Sequence, residues 1–173
     1  MREFTVRRAR LESGDWLGLT RLRTAVGERL MQMEADTGQP VTADLARSLD
    51  RMAHYTDTDR MYLVIDADCL MVACYALTAE ADRAFWTPEE QGQEALYLDS
   101  VMVHPWSMHQ GIGGVITARA LREAAERKMD YLRLDCQRGN KALRAHWEKL
   151  GFSHVRDVTV PGRASGTLMQ REV

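Results

Sequence analysis

The sequence predicts an α/β chain built on a mixed sheet. Three observations carry this. An apolar run, Ala95 to Val103, is followed after a short loop by Gly111, Gly113 and Gly114 and then by an amphipathic run. A second strand-like run, Tyr131 to Asp135, comes directly after that helix. Two earlier apolar runs, Met61 to Ile65 and Cys69 to Leu77, are joined by the turn-like Asp66-Ala67-Asp68. Strand, helix, strand is a βαβ unit, whose strands are parallel neighbours with a right-handed crossover. The earlier pair reads as an antiparallel hairpin. Parallel and antiparallel pairing together make the sheet mixed.

The remaining elements follow in order. Phe4 to Ala9 alternates and reads as a first strand. Ser13 is a candidate N-cap with Asp15 in the first turn. From there Trp16, Leu19, Leu22, Val26, Leu30 and Met33 recur at helical spacing. Asp36 to Pro40 breaks that helix, and Thr42 is expected to cap a second, with the stripe Leu45, Leu49, Met52 and Tyr55. The polar stretch Glu80 to Glu94 is long for a hairpin connection. Its Phe85 and Trp86 read either as a small cluster packed on the sheet or as substrate contacts. The helix after the glycines is expected to pack through Val115, Ala118, Leu121, Ala125 and Met129. Asn140 opens a short helix stopped by Gly151, and strands over Ser153 to Val160 and Thr167 to Arg171 close the chain.

Composition narrows the function. The chain has 173 residues, 45% hydrophobic and 28% charged, which suits one domain, 1–173, with a sizeable core. A net charge of -2 gives no electrostatic footprint for nucleic acid and no polybasic membrane signal. No apolar run approaches the roughly 18 to 20 residues that span a bilayer, and the first dozen residues lack a signal-peptide core. Cys69, Cys74 and Cys136 are odd in number without metal-type spacing. They read as reduced core or near-core thiols, with Cys69 and Cys74 on opposite faces of one strand. His54, His146 and His154 form no cluster with ligand spacing, so no metal is expected. A cytoplasmic location is the default expectation.

The glycine loop sits where a strand feeds a helix N-terminus. The first helical amides there have no intrahelical partners, and they point outward with partial positive charge, so the place suits a phosphate. A P-loop requires Lys and Ser or Thr straight after the last glycine; Val115 and Ile116 stand there instead. A dinucleotide fold requires G-x-G-x-x-G early in the chain, and here the glycine order and the position both differ.

The ordered set VMVHPWSMHQGIGGVITARAL, YLRLDC and NKALRAHWEKLGF resembles the GNAT family of N-acetyltransferases over about residues 95–160. The order of the first half, strand, two helices and hairpin, agrees as well. The resemblance implies the GNAT-like acyl-CoA N-acyltransferase fold, with splayed central parallel strands and flanking helices. It implies acetyl-CoA as co-substrate. The pyrophosphate is expected on the loop Met108, His109, Gln110, Gly111, Ile112, Gly113 and Gly114. The pantetheine arm is expected along the backbone of Val101, Met102 and Val103, with Asn140 facing it. A backbone N–H near Met102 would polarise the thioester carbonyl.

Asp99 matches the place where many members carry an acidic base, and Ser100 is a weaker candidate for ordering water. Two positions depart from the pattern. Met108 replaces a basic or amide side chain, for which Gln110 or His109 is a substitute donor. Trp147 replaces a Tyr that protonates the departing thiolate, and an indole N–H is a donor only. His104 reads as structural, and Cys136 lacks an adjacent base. The implied activity is direct acetyl transfer to a primary amine of a small molecule or protein. The alternative is a non-catalytic acyl-CoA-binding module. A homodimer is a further expectation from the resemblance.

Overall fold

The computed structural model describes residues 3–11, 14–38, 42 and 44–173. Its strands are β1 (Phe4–Arg8), β2 (Met61–Asp66), β3 (Met71–Thr78), β4 (Ala95–Val103), β5 (Tyr131–Gln137), β6 (Ser153–Asp157) and β7 (Ser165–Glu172). Its helices are α1 (Asp15–Thr37), α2 (Leu45–Asp57), α3 (Pro88–Gln91), α4 (Ile112–Glu126) and α5 (Lys141–Lys149). The strands form a mixed sheet in the order β1-β2-β3-β4-β5-β7-β6. The predicted βαβ unit is present, because β4 and β5 pair in parallel. So is the hairpin, because β2 and β3 pair antiparallel. No helix among the described residues is long and apolar enough to cross a membrane.

The chain divides into two compact units, Met1–Ala76 with Ser100–Ile116, and Leu77–Asp99 with Thr117–Val173. In the first, Leu19 and Leu22 of α1, Met52 of α2, Met61 and Leu63 of β2, Cys74 of β3 and Met102 of β4 make one apolar core. Asp15 anchors the start of α1. It is buried and takes a bidentate pair from Arg7, 2.7 Å on each arm, and a backbone N–H from Arg10 at 2.9 Å. Three donors satisfy this buried carboxylate. The cap expected at Ser13 lies outside the described residues; the N-cap position is Gly14. At the other end Gly38 takes a left-handed conformation, φ 68°, and its N–H bonds to Glu34 O at 2.8 Å. That is the usual reason for glycine one residue past a helix.

Three details of the first unit correct the sequence reading. Thr42 does not cap α2, whose N-cap is Asp44. The Thr42 hydroxyl and amide both donate to Glu34, at 2.6 and 2.9 Å, so they close the α1–α2 connection instead. In α2, Ser48, Met52 and Thr56 are buried while Leu49 is exposed. Arg23 of α1 donates to Ser48 Oγ and to Leu45 O, which gives the inward hydroxyl a partner, while Met52 and Tyr55 of the expected stripe do pack on the core. Finally, Cys69 lies in the β2–β3 turn, exposed, with φ 60°, rather than in the strand. Cys74 is buried on β3.

Helix α4 is likewise rotated from the expected face. Ile112, Ile116, Ala120 and Ala124 are buried, with Thr117 and Glu123, whereas Ala118 and Ala125 are exposed. Ile112, Ile116, Ala120 and Ala124 follow one another at four-residue spacing and so share one face, the inner stripe of the helix.

In the second unit, Phe85, Trp86, Ala95, Tyr97 and Leu168 form the apolar cluster. The stretch before β4 is therefore packed, and it also contains α3. Thr87 and Glu90 form a reciprocal capping box at the start of α3. Glu90 also takes a two-armed ion pair from Arg156, at 2.5 and 2.7 Å, and Arg156 donates to Phe85 O at 2.9 Å. Arg163 pairs with Asp82 at 3.0 Å and lies over the Phe85 ring. Arginines from β6 and the β6–β7 connection thus hold the segment at both ends.

The Arg156 hydrogen bonds hold the Glu90 carboxyl down at about 2 from an ordinary 4.5. A depressed carboxyl contributes stability that is present above its unfolded value and lost as pH falls through its folded value. Urea midpoints measured across pH will therefore fall between about 4.5 and 2 for the wild type. Glu90→Gln keeps the capping box but loses the charge. Its deficit relative to wild type will be largest above pH 4.5 and will shrink towards pH 2. A pH-independent deficit would contradict the assignment.

Candidate functional site

The site expected from sequence begins where β4 and β5 stop pairing. Their parallel ladder runs Ala95↔Tyr131, Leu96↔Leu132, Tyr97↔Arg133 and Leu98↔Leu134. Strand β4 then continues to Val103, while β5 keeps β7 as its partner as far as Gln137↔Ser165. At the point of departure Ser100 has φ 50°. A non-glycine residue in the left-handed region inside a strand is uncommon and holds about 1–3 kcal/mol of backbone strain. It re-aims the chain after it, as bulges do. The burial of β4 changes there, from fully buried over Ala95–Leu98 to partly exposed over Asp99, Ser100 and Val101. The sequence carried a weak signal, since Asp-Ser is the least strand-prone pair in an otherwise apolar run.

Beyond Ser100 the strand is held within its own unit. The Cys74 thiol lies 3.9 Å from Ser100 O, and His104 N–H donates to Val72 O at 2.8 Å. Met102 enters the apolar core. Burial pushes the Cys74 thiol up to about 12, so it is a packing group and not a nucleophile at neutral pH.

The loop after β4 is self-supporting. His104 caps a 3-10 turn, Pro105–Ser107, with its Nδ1 accepting from Trp106 N–H at 3.3 Å, and it meets the Trp106 ring edge-on. Its structural reading stands on those contacts. Trp106 itself is 87% exposed. Gln110 donates through Nε2 to Trp106 O at 2.9 Å, so its side chain is engaged in closing the loop. Met108 is exposed. His109 and Gly111 are both left-handed, φ 62° and 82°, and turn the chain into α4. Gly114 N–H and Val115 N–H both bond to Gly111 O, at 3.0 and 3.2 Å. The first helical amides, those of Ile112 and Gly113, have no carbonyl of the helix to bond. The Gly114 amide, one of those expected from sequence to face the pyrophosphate, is already engaged by Gly111 O.

Asn140, Trp147 and Cys136 belong to the second unit. The Asn140 side chain accepts from Leu143 N–H at 2.9 Å and donates to Gln137 Oε1 at 3.0 Å. It caps α5. Trp147 is 5% exposed and meets Phe152 and His146 edge-on, each at 5.5 Å. These are packing contacts of the kind worth about 0.5–1.5 kcal/mol beyond area burial. Burial and then the nearby Asp135 and Asp157 push the Cys136 thiol up to about 12, which removes it as a nucleophile near neutrality. Among the described residues no group of His, Cys, Asp or Glu is arranged to hold a metal ion.

With this geometry in place, comparisons with known proteins can be read. A profile of the acetyltransferase (GNAT) family matches residues 28–152. Among solved structures, a GNAT-family acetyltransferase from Listeria monocytogenes is similar at 16% identity and TM-score 0.70, covering 98% of this chain and 95% of that one. A PaiA N-acetyltransferase from Thermoplasma acidophilum, in complex with coenzyme A, is similar at 14% identity and TM-score 0.68, covering 99% of each chain. The ribosomal-protein-S18-alanine N-acetyltransferase from Escherichia coli is similar at 17% identity and TM-score 0.63, covering 98% and 94%. At these identities the structural likeness speaks for the fold. A search of curated proteins found no match.

The three thiols differ in access. An aromatic disulfide reagent added to the native protein will modify Cys69 within minutes and spare Cys74 and Cys136 until denaturant is added. Rapid modification of all three in the native state would overturn the burial described here.

Proposed function

The chain belongs to the acetyltransferase (GNAT) family and is an acetyltransferase of that type, and on that premise we propose that it moves an acetyl group from acetyl-CoA to a primary amine by direct transfer, with residues 1–173 working as one domain. The observation that carries the reading is the early end of the β4–β5 ladder at Leu98↔Leu134, followed by left-handed Ser100 and the loop into α4. Backbone groups of Val101, Met102 and Val103 then serve as a strand edge for the pantetheine arm, in the manner of β-augmentation. The amides from His109 to Gly113, with the positive end of the α4 dipole, take the pyrophosphate. This grip is mostly backbone, so Met108 is tolerated in place of a charged side chain.

Chemistry follows from the same placement. A protonated amine has no lone pair, so it must lose a proton before attack. Asp99, partly exposed where β4 leaves β5, takes that proton directly or through water, with Ser100 ordering the water. The neutral amine adds to the thioester carbonyl, whose developing oxyanion is met by a backbone N–H near Met102. Collapse breaks the C–S bond, CoA leaves as thiolate, and the extra proton on the new amide nitrogen passes to water or to the departing sulfur. A thiol of pKa about 8.5 leaves without a dedicated acid, which suits Trp147 as a packing residue. The acceptor is a small-molecule or protein amine.

One observation favours a second reading, in which the chain binds acyl-CoA without transferring the group: the Tyr-type acid is replaced by a buried indole. Calorimetric titration with acetyl-CoA, followed by chromatographic detection of free CoA with an amine panel, separates the two. Chromatography avoids the exposed Cys69, which would consume a thiol reagent. The proposal predicts binding and amine-dependent release; binding without release on any amine would favour the second reading, and no binding would end both.

Asp99→Asn will lower kcat/KM by about 10²-fold or more and remove the acidic limb of its pH profile, with little change in acetyl-CoA affinity. An unchanged profile would exclude Asp99 as the base.

A further inference from the structure

Arg133 heads the fully buried side chains by size, with 1% exposure. It stands on β5, opposite Tyr97 of β4 on one side and Gln170 of β7 on the other. Its guanidinium spans this row. Nε donates to Gln170 Oε1 at 3.0 Å, and one terminal nitrogen donates to Glu90 O at 2.7 Å and Tyr97 Oη at 3.2 Å. The other terminal nitrogen donates to Gln93 Oε1. The Trp86 and Tyr131 rings each lie 4.9 Å from the guanidinium carbon. All its hydrogen bonds therefore go to neutral oxygens, and aromatic faces supply the rest of the charge stabilisation.

A buried charge is a poor way to gain stability, because apolar residues of similar volume often do as well or better. What a guanidinium offers is geometry, since its planar fork fixes several acceptors at set positions. Here those acceptors lie on β4, β7 and the segment leading into β4. The row is also specific in place. Tyr97↔Arg133 is the pair immediately before Leu98↔Leu134, the last of the parallel ladder.

We propose that Arg133 is a positioning residue for acetyl transfer: it clamps β4 to β5 on the row before they part, and so sets where β4 turns through Asp99 and Ser100 into the stretch that receives the donor. The role rests on the acetyl-CoA reading above. It acts through the backbone of β4, with no contact to donor or acceptor required.

The test compares three variants with the wild type in urea unfolding, acetyl-CoA calorimetry and steady-state kinetics. Arg133→Lys keeps the charge and loses the fork. Tyr97→Phe keeps the ring and removes one acceptor. Arg163→Lys is the control, altering the same packed segment through Asp82 and Phe85, away from the strand row. Acetyl-CoA affinity is expected to fall about tenfold in Arg133→Lys, which is about 1.4 kcal/mol of binding free energy, and severalfold in Tyr97→Phe. It should be unchanged in Arg163→Lys, whatever that variant loses in stability, and the KM for the amine should change less than the donor affinity in all three. If Arg133→Lys does not fold, Tyr97→Phe decides. Unchanged donor affinity in folded Arg133→Lys or in Tyr97→Phe, or an equal loss in Arg163→Lys, would reduce Arg133 to ordinary packing and overturn the proposal. Failure of the wild type to bind acetyl-CoA would instead strike at the functional reading, and is seen separately in the first titration.

Discussion

Backbone N–H and C=O groups inside a protein must find partners, and strands β4 and β5 find each other for only four residue pairs. The ladder between them ends at Leu98↔Leu134. Strand β5 stays with β7 to its end, and the end of β4 is tied to β3 through His104 and Val72. Much else in the molecule serves this parting. Ser100 takes a strained conformation to redirect β4. Asp99, an acid in a strand that is buried up to Leu98, becomes partly exposed at the turn. The chain runs on through Val101 to Val103, and the loop after it delivers it to the N-terminus of α4.

The segment between β3 and β4 shows how a long connection is made rigid without regular structure. It carries one four-residue helix with a complete capping box. Arg156 reaches Glu90 and Phe85, Arg163 reaches Asp82, and Arg133 reaches Glu90 and Gln93. Arg156 donates to the main-chain carbonyl of Phe85 and Arg133 to that of Glu90 at the end of α3. Phe85 and Trp86 supply the apolar seat. Of the two readings the sequence allowed for these aromatic residues, packing on the sheet is the one their burial matches. The consequence for β4 is that its entry is held from several directions before its exit is strained.

The elements were legible where a local signal was strong. The run Ala95 to Val103, the helix after the glycines and the Asn140-led helix appear within a few residues of their expected bounds, because periodicity and caps act over short range. Helix faces were less legible. Strand-like alternation and helical spacing say that one side is apolar, but not that a polar residue of α2, Ser48, is buried and held by Arg23 of another helix while Leu49 is exposed. The inner stripe of α4, Ile112, Ile116, Ala120 and Ala124, lies one position round from the series expected from spacing, because small and apolar residues stand on both sides of that boundary. Cys69 was misplaced because its turn is set by Asp66 accepting the Asp68 and Leu70 amides, a local tie that an apolar stretch of sequence conceals. At the candidate site the glycines were visible, whereas the left-handed Ser100 was hinted at only by an Asp-Ser pair. The engagement of Gln110 and Asn140 in loop closure and capping depends on side-chain geometry that spacing does not encode.

The central claim is that backbone, more than any side chain, grips the donor. Amide hydrogen exchange with and without saturating acetyl-CoA tests it residue by residue. The account predicts slowed exchange concentrated at Val101–Val103 and at His109–Gly113, with the amides of Ala95–Leu98 and α5 little changed. Protection centred elsewhere, or none at either stretch in a protein that binds the donor, would contradict it.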